Sequence, residues 1–270
     1  MFVFSIEREI FAKLIKGGAY MSENLVKARL FHYTVLPLFE EVAKNDKDAK
    51  KIVKDLSDVI KFSAPGDIAA QVEFTNGTIV VSPGSEKKTS LFMRFLTQKV
   101  VSNMLAKKGF GIPLPYWGFT SLGLLGKFMK LGDILDKYMS LENPKGEAKD
   151  LVATLLLYAA VMGAAQVGQA DESVAEIVKK IPDGIAHVEI KGGPSVYIVK
   201  KGKNFTAMKG RPDDYNAYLG FKNFDIAYAM FTNQLDLMAA IPVGDIELSG
   251  SLAIIEQLAV LMEKAGEYLE

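Results

Sequence analysis

Apolar and polar residues alternate with different periods along this chain, and the changes of period mark out its elements. Met1 to Ile15 carries Phe2, Phe4, Ile6, Ile10, Phe11, Leu14 and Ile15 at amphipathic helical spacing. Ser22 is placed to cap a second helix, with Leu25, Leu30, Val35, Leu36 and Phe39 on its buried side and a kink expected at Pro37. A third helix is predicted over Ala49 to Phe62, stopping before Pro65. Two strands follow, Ile68–Phe74 and Thr78–Ser82, joined by Asn76-Gly77, the dipeptide best suited to a tight hairpin. Ser90 to Leu105 reads as a helix or a strand running into one. The stretch 109–118, with two prolines and the single Trp, reads as a loop or a poorly formed strand.

Past Asn143-Pro-Lys-Gly146, a boundary signal, Leu151 to Ala165 is almost free of polar side chains but falls short of a bilayer span. Its small residues Ala159, Ala160, Gly163 and Ala164 suit a buried central helix that others approach closely. Strands are predicted over Ile185–Ile190, Val196–Lys200, Phe205–Lys209 and Tyr215–Phe221, then a short helix through Phe231. The chain closes on a strand bearing Ile246 and Leu248, a Gly250-Ser251 corner, and a long helix. On that helix Leu252, Ile255, Ala259 and Met262 form one apolar line, and Ile254, Leu258, Leu261 and Tyr268 form a second. Such a wide stripe fits a lid over an apolar cavity or a well-packed core helix.

This ending occurs twice. With Ser121 aligned to Ser251, Leu122, Leu125, Phe128, Leu131 and Tyr138 fall on Leu252, Ile255, Leu258, Leu261 and Tyr268. Gly66–Phe74 also echoes Asp183–Ile190. The sequence is therefore read as a tandem duplication, with an N-terminal extension helix over 1–21, a first repeat over 22–142 and a second over 147–270. Lys16-Gly17-Gly18-Ala19-Tyr20 can be encoded with a ribosome-binding sequence before the Met21 codon, so Met21 is an alternative start to Met1.

Composition narrows the function. Of 270 residues 49% are apolar, enough for one large core or two ordinary ones. The lack of cysteine excludes disulfides and thiol chemistry and fits a cytoplasmic setting. Glu7, Arg8 and Glu9 in the first helix exclude a secretory core there. Two histidines far apart, and no phosphate loop, nucleophile elbow or metal motif, point away from an enzyme, a cofactor or a metal. Asp213-Asp214, beside Arg211 and Pro212, reads as a turn. Net charge is zero, but Glu86–Lys130 holds eight basic residues and one acid, while 223–270 holds eight acids and one base. Attraction between the two repeats is one reading of this. The other is peripheral contact of the first repeat with anionic membrane through Lys87, Lys88, Arg94, Lys107, Lys108 and Trp117. So apolar a chain without net charge does not suit nucleic acid; self-association through its apolar faces is a further partner expectation.

The second repeat resembles the sterol carrier protein type 2 family. The resemblance rests on the order of its strands and on three stretches: Tyr218–Met230 entering the short helix at Asp225-Ile226-Ala227, Gly244–Gly250, and the apolar terminal helix. It departs at Gln234–Ala240, where a glycine-centred turn is usual. The resemblance implies an α+β fold, a mostly antiparallel five-stranded sheet covered by helices, and with the duplication this makes two tandem units, each preceded by a long helix. It also implies non-catalytic binding of a fatty acyl chain, sterol or similar lipid in a tunnel between the sheet and the short and terminal helices. Carried over, the lining is Phe221, Phe224, Met230, Phe231, Ile246, Leu248, Leu252, Ile255, Leu258 and Met262. The alternative is a scaffold or interaction module whose core is filled.

Overall fold

The computed structural model describes residues 23–84 and 87–269; the expected helix over Met1–Ile15, the Ser22 cap and the question of Met1 or Met21 lie outside them. The chain is α+β, with two five-stranded sheets, each mostly antiparallel and covered by helices.

Helix α1 (residues 23–45) opens the first module. Its middle, Phe31–Val35, is a π-turn in which the Leu36 amide reaches back to the Phe31 carbonyl. Pro37 follows at once. A helical proline has no N–H to give and crowds the carbonyl four residues back, so the wider turn lies where the regular ladder would fail. Asp46 then caps α2 (Lys47–Val53), accepting from the Asp48 and Ala49 amides. The helix expected to run on to Phe62 ends here, because Asp58–Ala64 buries every second residue, Ile60, Phe62 and Ala64, and is strand β1. β2 (Ile68–Thr75), β3 (Thr78–Pro83), β4 (Leu91–Arg94), helix α3 (Gln98–Leu105), β5 (Leu114–Trp117) and helix α4 (Leu122–Met139) complete the module.

The second module repeats this order. Helix α5 (Glu147–Ala170) leads through a short helical turn capped by Asp171 into α6 (Ala175–Lys180). Strands β6 (Gly184–Ile190), β7 (Ser195–Lys201), β8 (Asn204–Lys209) and β9 (Ala217–Phe221) follow. Helices α7 (Phe224–Phe231) and α8 (Leu237–Ala240), strand β10 (Ile246–Gly250) and helix α9 (Leu252–Leu269) close the chain.

Strand order is β3-β2-β1-β4-β5 in the first sheet and β10-β9-β6-β7-β8 in the second, the same order read from the opposite edge. Each has a single parallel pair, β1 with β4 and β6 with β9. Position by position, Ile60 sits between Val72 and Leu91 as Ala186 sits between Ile198 and Ala217. The echo between Gly66–Phe74 and Asp183–Ile190 therefore matched unlike strands. The first stretch is β2, whereas β6 takes the place of β1; the likeness is one of composition, not of hydrogen-bonding position.

Each edge strand ends at a left-handed glycine, Gly118 or Gly250. A Cβ on Gly118 would stand 2.1 Å from the Ser90 carbonyl oxygen, and one on Gly250 2.2 Å from that of Asn216. Glycine at both corners lets the terminal helix start directly against the neighbouring strand.

Helix α5 is the hub. It is long and apolar enough to cross a bilayer, yet it is largely buried inside the protein, against α9, α7, β7, β8 and α1. Its small residues set the spacing. A Cβ on Gly163 would lie 2.8 Å from that of Ala265 on α9 and 3.5 Å from Leu30 on α1. The modules also meet at Lys209 on β8, whose ammonium donates to Glu40, Glu41 and the Pro37 carbonyl of α1. Attraction between the basic 86–130 stretch and the acidic 223–270 stretch is not what this ion pair uses.

Candidate functional site

The inner face of the second sheet carries Ala186, Val188, Val196, Ile198, Phe205, Ala217, Leu219 and Phe221, and α9 lies over it with Ile254, Leu258, Leu261 and Ala265 buried. Along this seam are two small voids, each of about 10 Å³. One is bounded by Ile181, Pro182, Ala186, Ile198, Lys200, Phe205 and Ile254, the other by Val188, Ala217, Leu219, Ile255 and Met262. Leu258 and Ala186 border both. Ala186, which borders both voids, and Ala217, which borders the second, are neighbours on the parallel strands β6 and β9, so two minimal side chains lie together beneath the helix.

The first module shows the same frame filled. In place of Ala186 and Ala217 stand Ile60 and Leu91, and in place of Val188, one step along, stands Phe62. Counting from Ser121 and Ser251, Phe128 of α4 takes the place of Leu258. Phe62 and Phe128 stack with centroids 5.1 Å apart, and Phe39 joins Phe128 at 4.8 Å. Phe39 lies seven residues before Asp46, where Ala164 lies before Asp171. An aromatic plug thus closes the first seam, and alanine, valine and leucine line the second. Over these five positions the second has nineteen fewer side-chain carbons, in interiors that otherwise pack without gaps.

Of the ten residues expected to line a tunnel, Ile255, Leu258 and Met262 border the voids. Phe221, Phe231 and Ile246 form a separate group near α7; Phe221 pairs with Ile246 across the sheet and stacks on Phe231 at 5.3 Å. Phe224 packs over Gly193, where a Cβ would come within 2.7 Å of its ring. Met230 and Leu248 are half-buried. Leu252 does not belong to the seam. It is 56% exposed, because two residues of helix turn it about 200° from Ile254. The sequence missed Ala186, Ala217, Ile181, Ile198 and Phe205, whose roles depend on strand register. It also missed Lys200, whose buried ammonium donates to Asp183 at 3.0 Å and puts a cation at one end of the seam.

On the outer face of the same sheet, a polar cluster gathers residues distant in sequence. Glu189 accepts from Arg211 and from the Tyr218 hydroxyl, the latter at 2.8 Å. Gly220 leaves room for the Tyr218 hydroxyl; a Cβ there would stand 2.4 Å from it. Burial alone would raise the Glu189 carboxyl, but Arg211 and Tyr218 outweigh it and hold it below the usual range. His187 Nε2 lies 2.7 Å from Ser195 Oγ, which donates to the Gly210 carbonyl. Glu189 approaches the same nitrogen at 3.8 Å, while the buried Nδ1 has no partner. A serine triad needs its carboxylate on the other ring nitrogen. The arrangement is a buried tie between strands rather than an activated nucleophile.

Of the cations expected to face a membrane, Lys87 is paired with Glu73 and Lys107 with Asp136. Arg94 and Trp117 stand exposed at β4 and β5, and Lys88 and Lys108 are exposed on the segments that lead into those strands. Among the described residues, no group of three acidic or histidine side chains could hold a metal.

No protein-family model matches the chain, and neither does any curated protein. Among solved structures it is similar to a UbiJ-SCP2 ubiquinone synthesis protein, at 16% identity and a TM-score of 0.31, over 40% of this chain and 96% of that one. Palmitated SCP2L2 from Aedes aegypti matches at 16% and 0.30, over 38% and 91%. The sterol carrier protein domain 2 of Helicoverpa armigera matches at 16% and 0.32, over 43% and 91%. A sec-alkylsulfatase, Pisa1 from Pseudomonas sp., matches at 10% and 0.25, over 53% of this chain and 28% of its own.

Proposed function

We propose that this chain is a non-catalytic carrier of an apolar molecule, a fatty acyl chain, sterol or similar lipid, held between the second sheet and α9. The observation that carries the reading is the exchange of Ile60, Leu91, Phe62 and Phe128 for Ala186, Ala217, Val188 and Leu258 in one shared frame. The lining is apolar apart from Lys200 at one void and His187 and Tyr218 at the other, and sites for such ligands are mostly apolar with a few polar groups. α9 is the moving wall, because its Leu258 borders both voids. Each methylene buried there would contribute ~0.8 kcal/mol, so no catalytic or ionic contact is needed for affinity.

On this reading the chain is a tandem duplication with units at 22–142 and 147–270, of which the first has become a closed companion to the second. It works in a cytoplasmic setting, and it loads and unloads at a lipid surface met through the first unit.

A second reading has its own support: voids of about 10 Å³ hold a single water, so the seam as it stands is nearly a solid core. The chain would then be a scaffold with apolar faces packed on each other or on a partner. Mass spectrometry of an organic extract of the purified protein, with titration of a fluorescent fatty acid, separates the two. Co-purified lipid or saturable probe binding supports the carrier; neither leaves the scaffold.

A further inference from the structure

We propose that the first module docks on an anionic lipid surface through its edge strand β5 and the residues on either side. The inference extends the carrier reading but rests on a different surface, so either can fail alone.

From Phe110 to Phe119 the chain exposes Phe110, Ile112, Leu114, Tyr116, Trp117 and Phe119; Ile112 and Trp117 are 64% and 66% exposed. A strand covering a core buries alternate residues, and β5 does not. Leu114 is exposed and so are the consecutive Tyr116 and Trp117; β5 is an edge strand whose register with β4 slips between Phe92 and Met93.

The belt is held in place. Asn103 donates to the Phe110 carbonyl at 3.0 Å, and Gly111 packs so tightly on α3 that a Cβ would stand 2.5 Å from the Met104 backbone. Gly118 pins the other end against Ser90. This is a fixed apolar ridge ready for insertion.

Charge selects the occupant. Residues 87–130 contain eight basic side chains and no carboxylate, and although Glu73 and Asp136 pair with Lys87 and Lys107, basic groups remain in excess. Two cations lie on the aromatic groups of this face, Arg94 over Tyr116 at 5.7 Å and Lys61 over Phe92 at 4.5 Å, with Phe92 and Tyr116 themselves 5.2 Å apart. Aromatic rings among cations suit the headgroup layer of a bilayer. A second copy fits less well, since a two-fold contact would set one basic ridge on another. The corresponding stretch of the second module, 213–260, has seven carboxylates and Lys222 as its only base, so it would be repelled from the same surface.

Trp117 is the only tryptophan, so its emission reports on the belt directly. The full chain should show a blue shift with phosphatidylcholine vesicles containing phosphatidylglycerol, a much smaller one with phosphatidylcholine alone, and reversal by salt. The variant Ile112→Glu/Phe119→Glu should weaken vesicle affinity by about tenfold or more, while melting temperature and fatty-acid probe binding stay at wild-type values. An unchanged Trp117 spectrum with both vesicles at low salt overturns the proposal. So does a salt-insensitive shift equal for both lipids, or a shift that follows protein concentration without lipid and coincides with dimers in sedimentation.

Discussion

The Tyr268 hydroxyl in the last turn of α9 donates to Oδ2 of Asp171 at 2.8 Å, where Asp171 also caps the turn that follows α5. Tyr138 of α4 does the same to Asp46 at 2.9 Å, and Asp46 caps α2. Burial, then the carboxylate it is bonded to, pushes the Tyr138 phenol up to about 12 and moves Tyr268 in the same direction. One bond thus fastens the terminal helix of each module to the cap that starts it.

Tyr138→Phe and Tyr268→Phe should each cost about 1–2 kcal/mol in urea unfolding, since a carboxylate loses its donor. The two losses should add, because the bonds share no group. Asp171→Ala should cost more than Tyr268→Phe, as it also removes a cap.

The helix contact at Gly163 makes a reciprocal prediction. Gly163→Ala places a methyl 2.8 Å from Ala265 Cβ and should destabilise by about 1–2 kcal/mol despite the better helix propensity of alanine. Ala265→Gly in the same chain should recover part of the loss, a coupling readable in a double-mutant cycle.

Much of this frame was legible in the sequence. The match of Ser121 to Ser251 identified α4 and α9, because helices write their buried stripe into one local period: Leu124, Phe128, Leu131 and Leu135 in one, Ile254, Leu258, Leu261 and Ala265 in the other. The strands of the first sheet were harder to read. β1 has only seven residues and closely follows a lysine-rich helix, so its alternation is too short to stand apart from the helical period before it. The seam itself could not be read, because Ala186 and Ala217 lie 31 residues apart and meet only through parallel pairing. Nor could period alone decide which of the two apolar lines on α9 faces the sheet.

That choice is testable. Leu252→Ser should change stability by within ~0.5 kcal/mol and leave probe binding unchanged, as the side chain faces solvent. Leu258→Ala, between the two voids, should cost about 2–4 kcal/mol and alter probe affinity.

A pH prediction comes from His32. Its ring is fully buried against Phe31 and Phe95, with Nδ1 at 2.8 Å from the Ala28 carbonyl and Nε2 unpartnered. Burial lowers its pKa from 6.5 to about 4, against a smaller opposing effect of the Ala28 bond. The folded state keeps the ring neutral, so the unfolded chain takes up the proton first. Stability is complete above about pH 6.5 and falls by roughly 1.4 kcal/mol per unit as pH drops toward 4. His32→Phe should flatten the melting curve between pH 6.5 and 5. A residual slope of the same sign would remain from His187, which burial also lowers.

The central claim is that the second seam is the open version of the first, and giving it the first seam's residues tests this directly. Ala186→Ile with Ala217→Leu puts the side chains of Ile60 and Leu91 beneath α9. Binding of a fluorescent fatty acid, titrated beside the melting temperature, is the measurement. The account predicts that wild type binds the probe and that the double variant loses at least about tenfold in affinity, because its own side chains occupy the ligand's place. Its melting temperature should stay near that of wild type, since a helix that moves aside for a lipid also moves aside for these side chains. A wild type that binds no apolar probe, or a double variant that melts early through overpacking and still binds the probe as well as wild type, would contradict it.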